Sequence, residues 1–163
     1  FGFAQTPISI FSPDFSSSNQ GGWQINGNAY FNGSSPTYLR LTNNTYGQAG
    51  SAFWKQKVTL PNDFSFSVYF TFKISGCCSR ADGLTFCIQQ ASNTAGSSGG
   101  GLGYSGLPGK SIAVEYDTYN NAEGSNNHIA LDINGTLHGN AGSPRNTYVT
   151  HLNSSIINLA DAR

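Results

Sequence analysis

The clearest pattern in the chain is a two-residue alternation. From Phe64 to Ile74 the apolar side chains Phe64, Phe66, Val68, Phe70, Phe72 and Ile74 take every second position, with Ser65, Ser67, Tyr69, Thr71 and Lys73 between them. Successive side chains of an extended strand point to opposite faces, so this spacing predicts a long strand with one buried face. Shorter alternations at Tyr38–Thr42, Phe53–Leu60, Leu84–Ile88, Ile112–Thr118 and Ile129–Ile133 predict further strands, with turn-rich segments separating them. No 3.6-residue apolar stripe persists for the length of a helix, because Gly, Asn and Ser interrupt almost every window. Many strands with turn-rich connections predict an all-β antiparallel sandwich or barrel rather than βαβ units.

Composition sharpens this picture in three ways. The length, 163 residues, fits a single domain over 1–163, given roughly 100–200 residues per domain. Twenty glycines and 13% aromatic residues supply both turns and β-formers, and that aromatic load argues against disorder. Eight basic residues balance eight acidic ones and only 10% of the chain is charged, so no strong field exists to attract nucleic acid or an anionic membrane. No apolar run approaches the ~18 residues that would cross a bilayer. The absence of Met fits a mature, processed chain. Four acceptor sequons, at Asn32, Asn43, Asn134 and Asn153, agree with a secreted glycoprotein. Cys77, Cys78 and Cys87 are too few for a disulfide scaffold and lack the second ligand pair of a zinc site, which leaves room for one local disulfide to Cys87.

The chemistry concentrates in one stretch. Three of the eight acids, Glu115, Asp117 and Glu123, fall within the run from Val114 to Ile129. Strand alternation puts Glu115, Asp117 and Tyr119 on one face. Two like charges so close raise each other's pKa unless a cation lies between them, and a divalent ion is the simplest such agent. Asn121, Glu123, Ser125 and Asn126 add oxygen donors that suit calcium, while His128 offers the nitrogen a transition metal prefers. The same pattern also reads as a carboxylate pair on a solvated loop. The glycine-rich segment 93–106 reads either as a linker or as a functional backbone surface, and the strands on both sides favour the second. His138 and His151 read as surface residues.

The run Val114-Glu-Tyr-Asp-Thr-Tyr-Asn-Asn, followed by His128-Ile-Ala-Leu-Asp-Ile-Asn, resembles the metal-binding hallmark of the legume-type (L-type) lectins. Arg80-Ala81-Asp82-Gly83-Leu84-Thr85-Phe86 resembles the family's Ala-Asp-Gly motif, and Gly99-Gly-Gly-Leu-Gly-Tyr104 its glycine loop. Ala49-Gly-Ser-Ala-Phe-Trp-Lys and the strand from Phe64 resemble its early strands, so the likeness spans most of the chain. The resemblance implies a concanavalin A-like jelly-roll β-sandwich and a carbohydrate-binding function without catalysis. It implies that Glu115 and His128 bind a transition metal, usually manganese. Asp117 would bridge that ion and calcium, and the Tyr119 carbonyl and Asn121 side chain would bind calcium. Asp82, Gly100 or Gly101, and Asn121 would hydrogen-bond sugar hydroxyls, with the Tyr119 ring stacked on the pyranose. A cis peptide is implied between Ala81 and Asp82.

Two departures from the family pattern stand out. No Asp lies between Asp117 and His128 where the family supplies another ligand, so Glu123, or alternatively Asn126, is expected to replace it. The family's later strands have no counterpart before Arg163, which implies that further strands complete the sandwich, either in a second polypeptide or in a continuation of this chain; a homo-oligomer is a further assembly expected. A glycoside hydrolase of the laminarinase type shares the architecture, but its Glu-x-Asp-x-x-Glu signature would need an acid at Asn120. A structural adhesion module with a decayed sugar site is the third reading, opposed by the joint presence of Asp82, the glycine loop, Asn121 and His128.

Overall fold

The computed structural model describes residues 15–16, 20–33, 35, 37–60, 65–76, 80–139 and 149–151. Among these described residues the regular elements are eight strands and a 3-10 turn at Gly99–Gly101. The strands are β1 (Trp23–Gly27), β2 (Tyr30–Asn32), β3 (Tyr38–Arg40), β4 (Gly50–Trp54), β5 (Gly83–Gln89), β6 (Ser111–Asp117), β7 (His128–Ile133) and β8 (Val149–His151). All pairings are antiparallel: β1 with β4, β2 with β3, and a four-stranded sheet in the order β5-β6-β7-β8. The all-β antiparallel class expected from the sequence is therefore the observed one. None of the described helical segments is long and apolar enough to cross a membrane.

The four-stranded sheet shows why period-two reading works and where it stops. Along β6, Ala113, Glu115 and Asp117 are buried, while Ile112 on the opposite face is exposed. The buried face is covered by the segment after β5, which supplies Tyr104 and Leu107, and by the chain after β7, which supplies Leu137, all packing with Ala113. The Tyr104 hydroxyl hydrogen-bonds the Ser111 hydroxyl at 2.9 Å, anchoring this cover to the start of β6. The segment is thus not a linker but a folded lid on the sheet, and its glycine turn is held in place by that packing.

The segment from Phe64 differs from the expectation. Phe64 itself lies outside the described residues, and 65–75 form no strand. Alternation fixes which side chains face inward, but a strand also needs a ladder partner, and none of the described strands pairs with this segment. Only part of the expected inward face packs: Phe70 stacks on Phe86 at 5.6 Å and Phe72 meets Tyr116 at 4.8 Å, while Phe66 and Val68 are exposed.

The disulfide expected at Cys87 is not formed. Cys87 is a free thiol, packed against the cluster of Tyr104, Leu107, Ala113 and Leu137, and Cys77 and Cys78 lie outside the described residues. Its position on the inward face of β5, opposite Ala113, turns the sulfur into the core. Burial pushes the Cys87 thiol up to about 11, leaving roughly one molecule in a thousand as reactive thiolate at pH 8. Alkylation of the native chain at pH 8, mapped by mass spectrometry, is therefore expected to label Cys87 only after denaturant is added. Rapid native labelling would contradict this placement.

Candidate functional site

Strand register builds the centre of the site. Asp117 on β6 lies directly opposite His128 on β7 and Gly83 on β5, so the Asp117 and His128 side chains emerge from neighbouring strands on one face. Directly opposed residues place their Cβ atoms about 4.5–5.5 Å apart, and diagonal neighbours remain within reach of long side chains. Glu115, two residues earlier on β6, uses that diagonal: its Oε1 lies 3.0 Å from His128 Nε2. Glu115 is 1% exposed and His128 fully buried, so the pair is shielded from water.

The loop between β6 and β7 brings a third donor. Asp117, Glu123 and His128 each offer one ligand atom, all within 4.8 Å of one another, a set that could hold a metal ion. Glu123 is placed by its own Oε1, which accepts the Asn121 N–H at 2.8 Å. Asp117 Oδ1 accepts the Tyr119 N–H at 2.7 Å, tying the carboxylate to the turn that follows it. Of the two candidates for the family's missing acid, Glu123 joins the cluster, while Asn126 is exposed to solvent. Glu115 connects to the cluster through His128.

Electrostatics show the strain of this arrangement. Burial pushes the Asp117 carboxyl up to about 7; the Tyr119 N–H and His128 draw it down, and Glu123 and Glu115 push it further up. For His128, burial disfavours the imidazolium, but the hydrogen bond it donates to Glu115 and the charges of Asp117, Glu115 and Glu123 outweigh that and raise the pKa.

A second group of residues converges beside the first. The Ala81–Asp82 peptide is cis, as the resemblance implied. The Asp82 carbonyl accepts the Thr118 N–H at 2.9 Å, and the Thr118 hydroxyl donates to the Arg80 carbonyl, so the end of β6 is laced to this turn. Gly83 makes the crossing possible: its φ is +148°, and a Cβ there would collide with the Tyr116 carbonyl and lie 3.1 Å from the Asp117 Cα.

The glycine turn then meets Asp82 and Asn121. A Cβ at Gly99 would lie 3.9 Å from Asp82 Oδ2, and one at Gly100 would lie 2.5 Å from Asn121 Nδ2. The Asp82 carboxylate, the turn backbone and the Asn121 amide therefore border one small surface. Gly101 does not face it, since a Cβ there would run into the Ser97 side chain. Gly100 is thus the glycine of the expected pair that lies at this surface. Tyr119 is 44% exposed, with its ring available to a ligand.

Three further residues were given no part in the site from the sequence. Thr118 acts through the two hydrogen bonds to the Arg80–Asp82 turn. Asp132 is fully buried, and its Oδ1 accepts the His138 N–H at 2.9 Å. Alternation carried the signal for Asp132, since His128, Ala130 and Asp132 share the buried face of β7. His138, expected at the surface, is half-buried with its ring 5.6 Å from that of His128. The turn at Asn134–Gly135, with φ of 53° and 72°, reverses the chain and brings it back over the sheet, and the Asn-Gly pair is the local signal for that reversal.

Comparison with known proteins identifies the family of the chain. Residues 9–156 match the legume lectin domain model. The L-type lectin-domain containing receptor kinase VIII.1 of Arabidopsis thaliana is 37% identical over 81 residues, covering 45% of this chain and 11% of that protein. A second Arabidopsis thaliana receptor kinase named for an L-type lectin domain, II.2, is 33% identical over 115 residues, covering 61% of this chain and 16% of its own length. The chain thus spans a small part of the relatives it matches. With the family model covering most of its length and the antiparallel all-β architecture in place, this chain belongs to the legume lectin domain family, whose fold is the jelly-roll β-sandwich.

Proposed function

We infer that this chain is a carbohydrate-binding domain that holds a mono- or oligosaccharide without turning it over. The observation that carries this reading is the convergence of Asp82, the Gly99–Gly100 turn and Asn121 on one surface, laced through Thr118 to the strand that bears Asp117. Asp82 would accept hydrogen bonds from two sugar hydroxyls, the Gly100 N–H and Asn121 amide would donate, and the exposed Tyr119 ring would cover the apolar face of the pyranose.

The carboxylates serve this site from behind. A divalent cation supplies positive charge that lets Asp117 and its neighbours ionise together. Calcium, with the Tyr119 carbonyl and Asn121 side chain among its ligands, suits the oxygen donors, and manganese or another transition ion suits His128 with the acids. Asp117 holds the Tyr119 N–H and Glu123 holds the Asn121 N–H, so whatever fixes these carboxylates also fixes the loop that presents Asn121. The absence of an acid at Asn120 and the engagement of Glu115 with His128 leave no carboxylic acid in the place a retaining hydrolase needs one. The domain acts outside the cell, where glycans are displayed.

Isothermal titration of mannose, glucose and galactose into the whole chain is expected to show millimolar-to-micromolar binding with calcium and manganese present. Chelation is expected to remove it, and no product is expected to form from a polysaccharide. Polysaccharide turnover, or equal binding after chelation, would overturn the reading.

A further inference from the structure

We propose that His138 is a second imidazole of the cation seat, giving the position bordered by Asp117, Glu123 and His128 a two-nitrogen, two-carboxylate donor set. This rests on the cation reading above and goes beyond it by adding a ligand and by fixing the class of ion preferred.

Four observations place His138 beside the seat. Its ring centre lies 5.6 Å from that of His128, with the planes at 73°. Two imidazoles on one ion, each nitrogen about 2.0–2.1 Å from the metal, put their ring centres roughly 5–6 Å apart. The backbone of His138 is pinned, because its N–H donates to the buried Asp132 carboxylate, four residues along β7 from His128 and on the same face. Leu137 just before it is 3% exposed in the core cluster, which fixes the approach of the chain. The next residue reaches the acid side of the seat: a Cβ at Gly139 would collide with the Glu123 side chain. The segment 138–139 therefore runs across the seat from His128 to Glu123. The His138 nitrogens stand outside the 4.8 Å group formed by Asp117, Glu123 and His128, and turning the half-buried ring about its own χ angles is the movement that ligation requires.

The consequence is one of selectivity. Manganese and calcium favour oxygen donors, whereas imidazole suits zinc, nickel and copper, and zinc commonly takes four ligands. Two carboxylates with one imidazole make a seat for manganese. A second imidazole completes four protein donors and shifts the preference toward zinc-class ions.

The test uses the whole chain stripped of metal, with zinc and manganese titrated separately by calorimetry. His138→Phe keeps a ring against His128 but removes both nitrogens. Zinc affinity is expected to fall at least about tenfold in this variant, with manganese affinity changed by less than about threefold. In the wild type, the imidazole nitrogen resonances of His138 and His128 are expected to move together on zinc addition, a readout that depends on no variant. If zinc and manganese both bind the wild type, and neither His138→Phe nor the His138 resonances respond, the second imidazole is overturned while the seat stands. If neither ion binds the wild type, the seat itself is overturned and the role of His138 falls with it.

Discussion

Asp117→Asn is expected to weaken cation binding to the whole chain by at least about 100-fold and, with it, to abolish detectable sugar binding. The substitution keeps the shape of the side chain and the acceptor for the Tyr119 N–H, so the turn after β6 can form. What it removes is one of the three donor atoms that lie within 4.8 Å, and the charge at the point where β6 and β7 face each other. Loss of a buried charged ligand costs more than loss of a neutral hydrogen bond. Calorimetry with calcium, manganese and sugar reads all three effects. Full sugar affinity in Asp117→Asn would separate the two halves of the site and remove the cation from the mechanism.

The same carboxylate sets a pH dependence in the metal-free chain. Asp117 titrates near 3.8 when unfolded and about 7 when folded. The folded chain therefore binds the extra proton between those values, and this contribution to stability, full below 3.8, is lost as pH rises to 7. His128 is also raised, from 6.5, so its contribution is full below 6.5 and is lost as pH rises through its folded value. Both signs agree: with chelator present, the chain is expected to melt higher at pH 5 than at pH 8. Saturating divalent cation is expected to restore the loss at pH 8, because it replaces the proton as the positive charge beside Asp117. A metal-free chain that is more stable at pH 8 than at pH 5 would contradict the electrostatic reading of the cluster.

Much of this site was legible before any coordinates. Period-two alternation placed Glu115 and Asp117 on one face, and the structure buries both. The strands at 84–88, 112–118 and 129–133 came out within about one residue of β5, β6 and β7, because each has well-formed ladder partners on one side or both. Phe64–Ile74 failed for the complementary reason: its alternation was the strongest in the chain, yet alternation reports a face and not a partner. The strands β1 and β2 were missed because Trp23–Gly27 and Tyr30–Asn32 are short and mixed in polarity, and they owe their form to pairing with β4 and β3. His138 was misplaced because its burial comes from a chain reversal that carries it onto the sheet, a tertiary event with no period in the sequence. Cys87 was not legible as a core thiol, because Leu84, Phe86 and Ile88 are the apolar positions of that alternation and Cys87 shares the other face with Thr85, the face that Tyr104 and Leu107 cover.

Asp82→Ala is expected to reduce sugar affinity by on the order of 100-fold while leaving the melting temperature and cation affinity close to wild type. The backbone at Asp82 is held by its own carbonyl, which accepts the Thr118 N–H, so removing the carboxylate leaves the turn anchored. Two hydrogen bonds from sugar hydroxyls to a carboxylate, each about 1.5–3 kcal/mol, account for a loss of that size. Gly100→Ala supplies an independent check on the same surface. The new methyl would press on the Asn121 amide, a movable side chain, so the expected result is weaker binding with little change in stability. Gly83→Ala is expected to do the reverse, because there the methyl meets the backbone of Tyr116 and Asp117 and the strand pairing must give way. Should Asp82→Ala and Gly100→Ala both bind sugar as tightly as wild type, the surface between Asp82 and Asn121 is not where the sugar sits. Should they lose binding while Gly83→Ala loses stability, the glycines of this chain divide into one that receives the ligand and one that lets two strands meet.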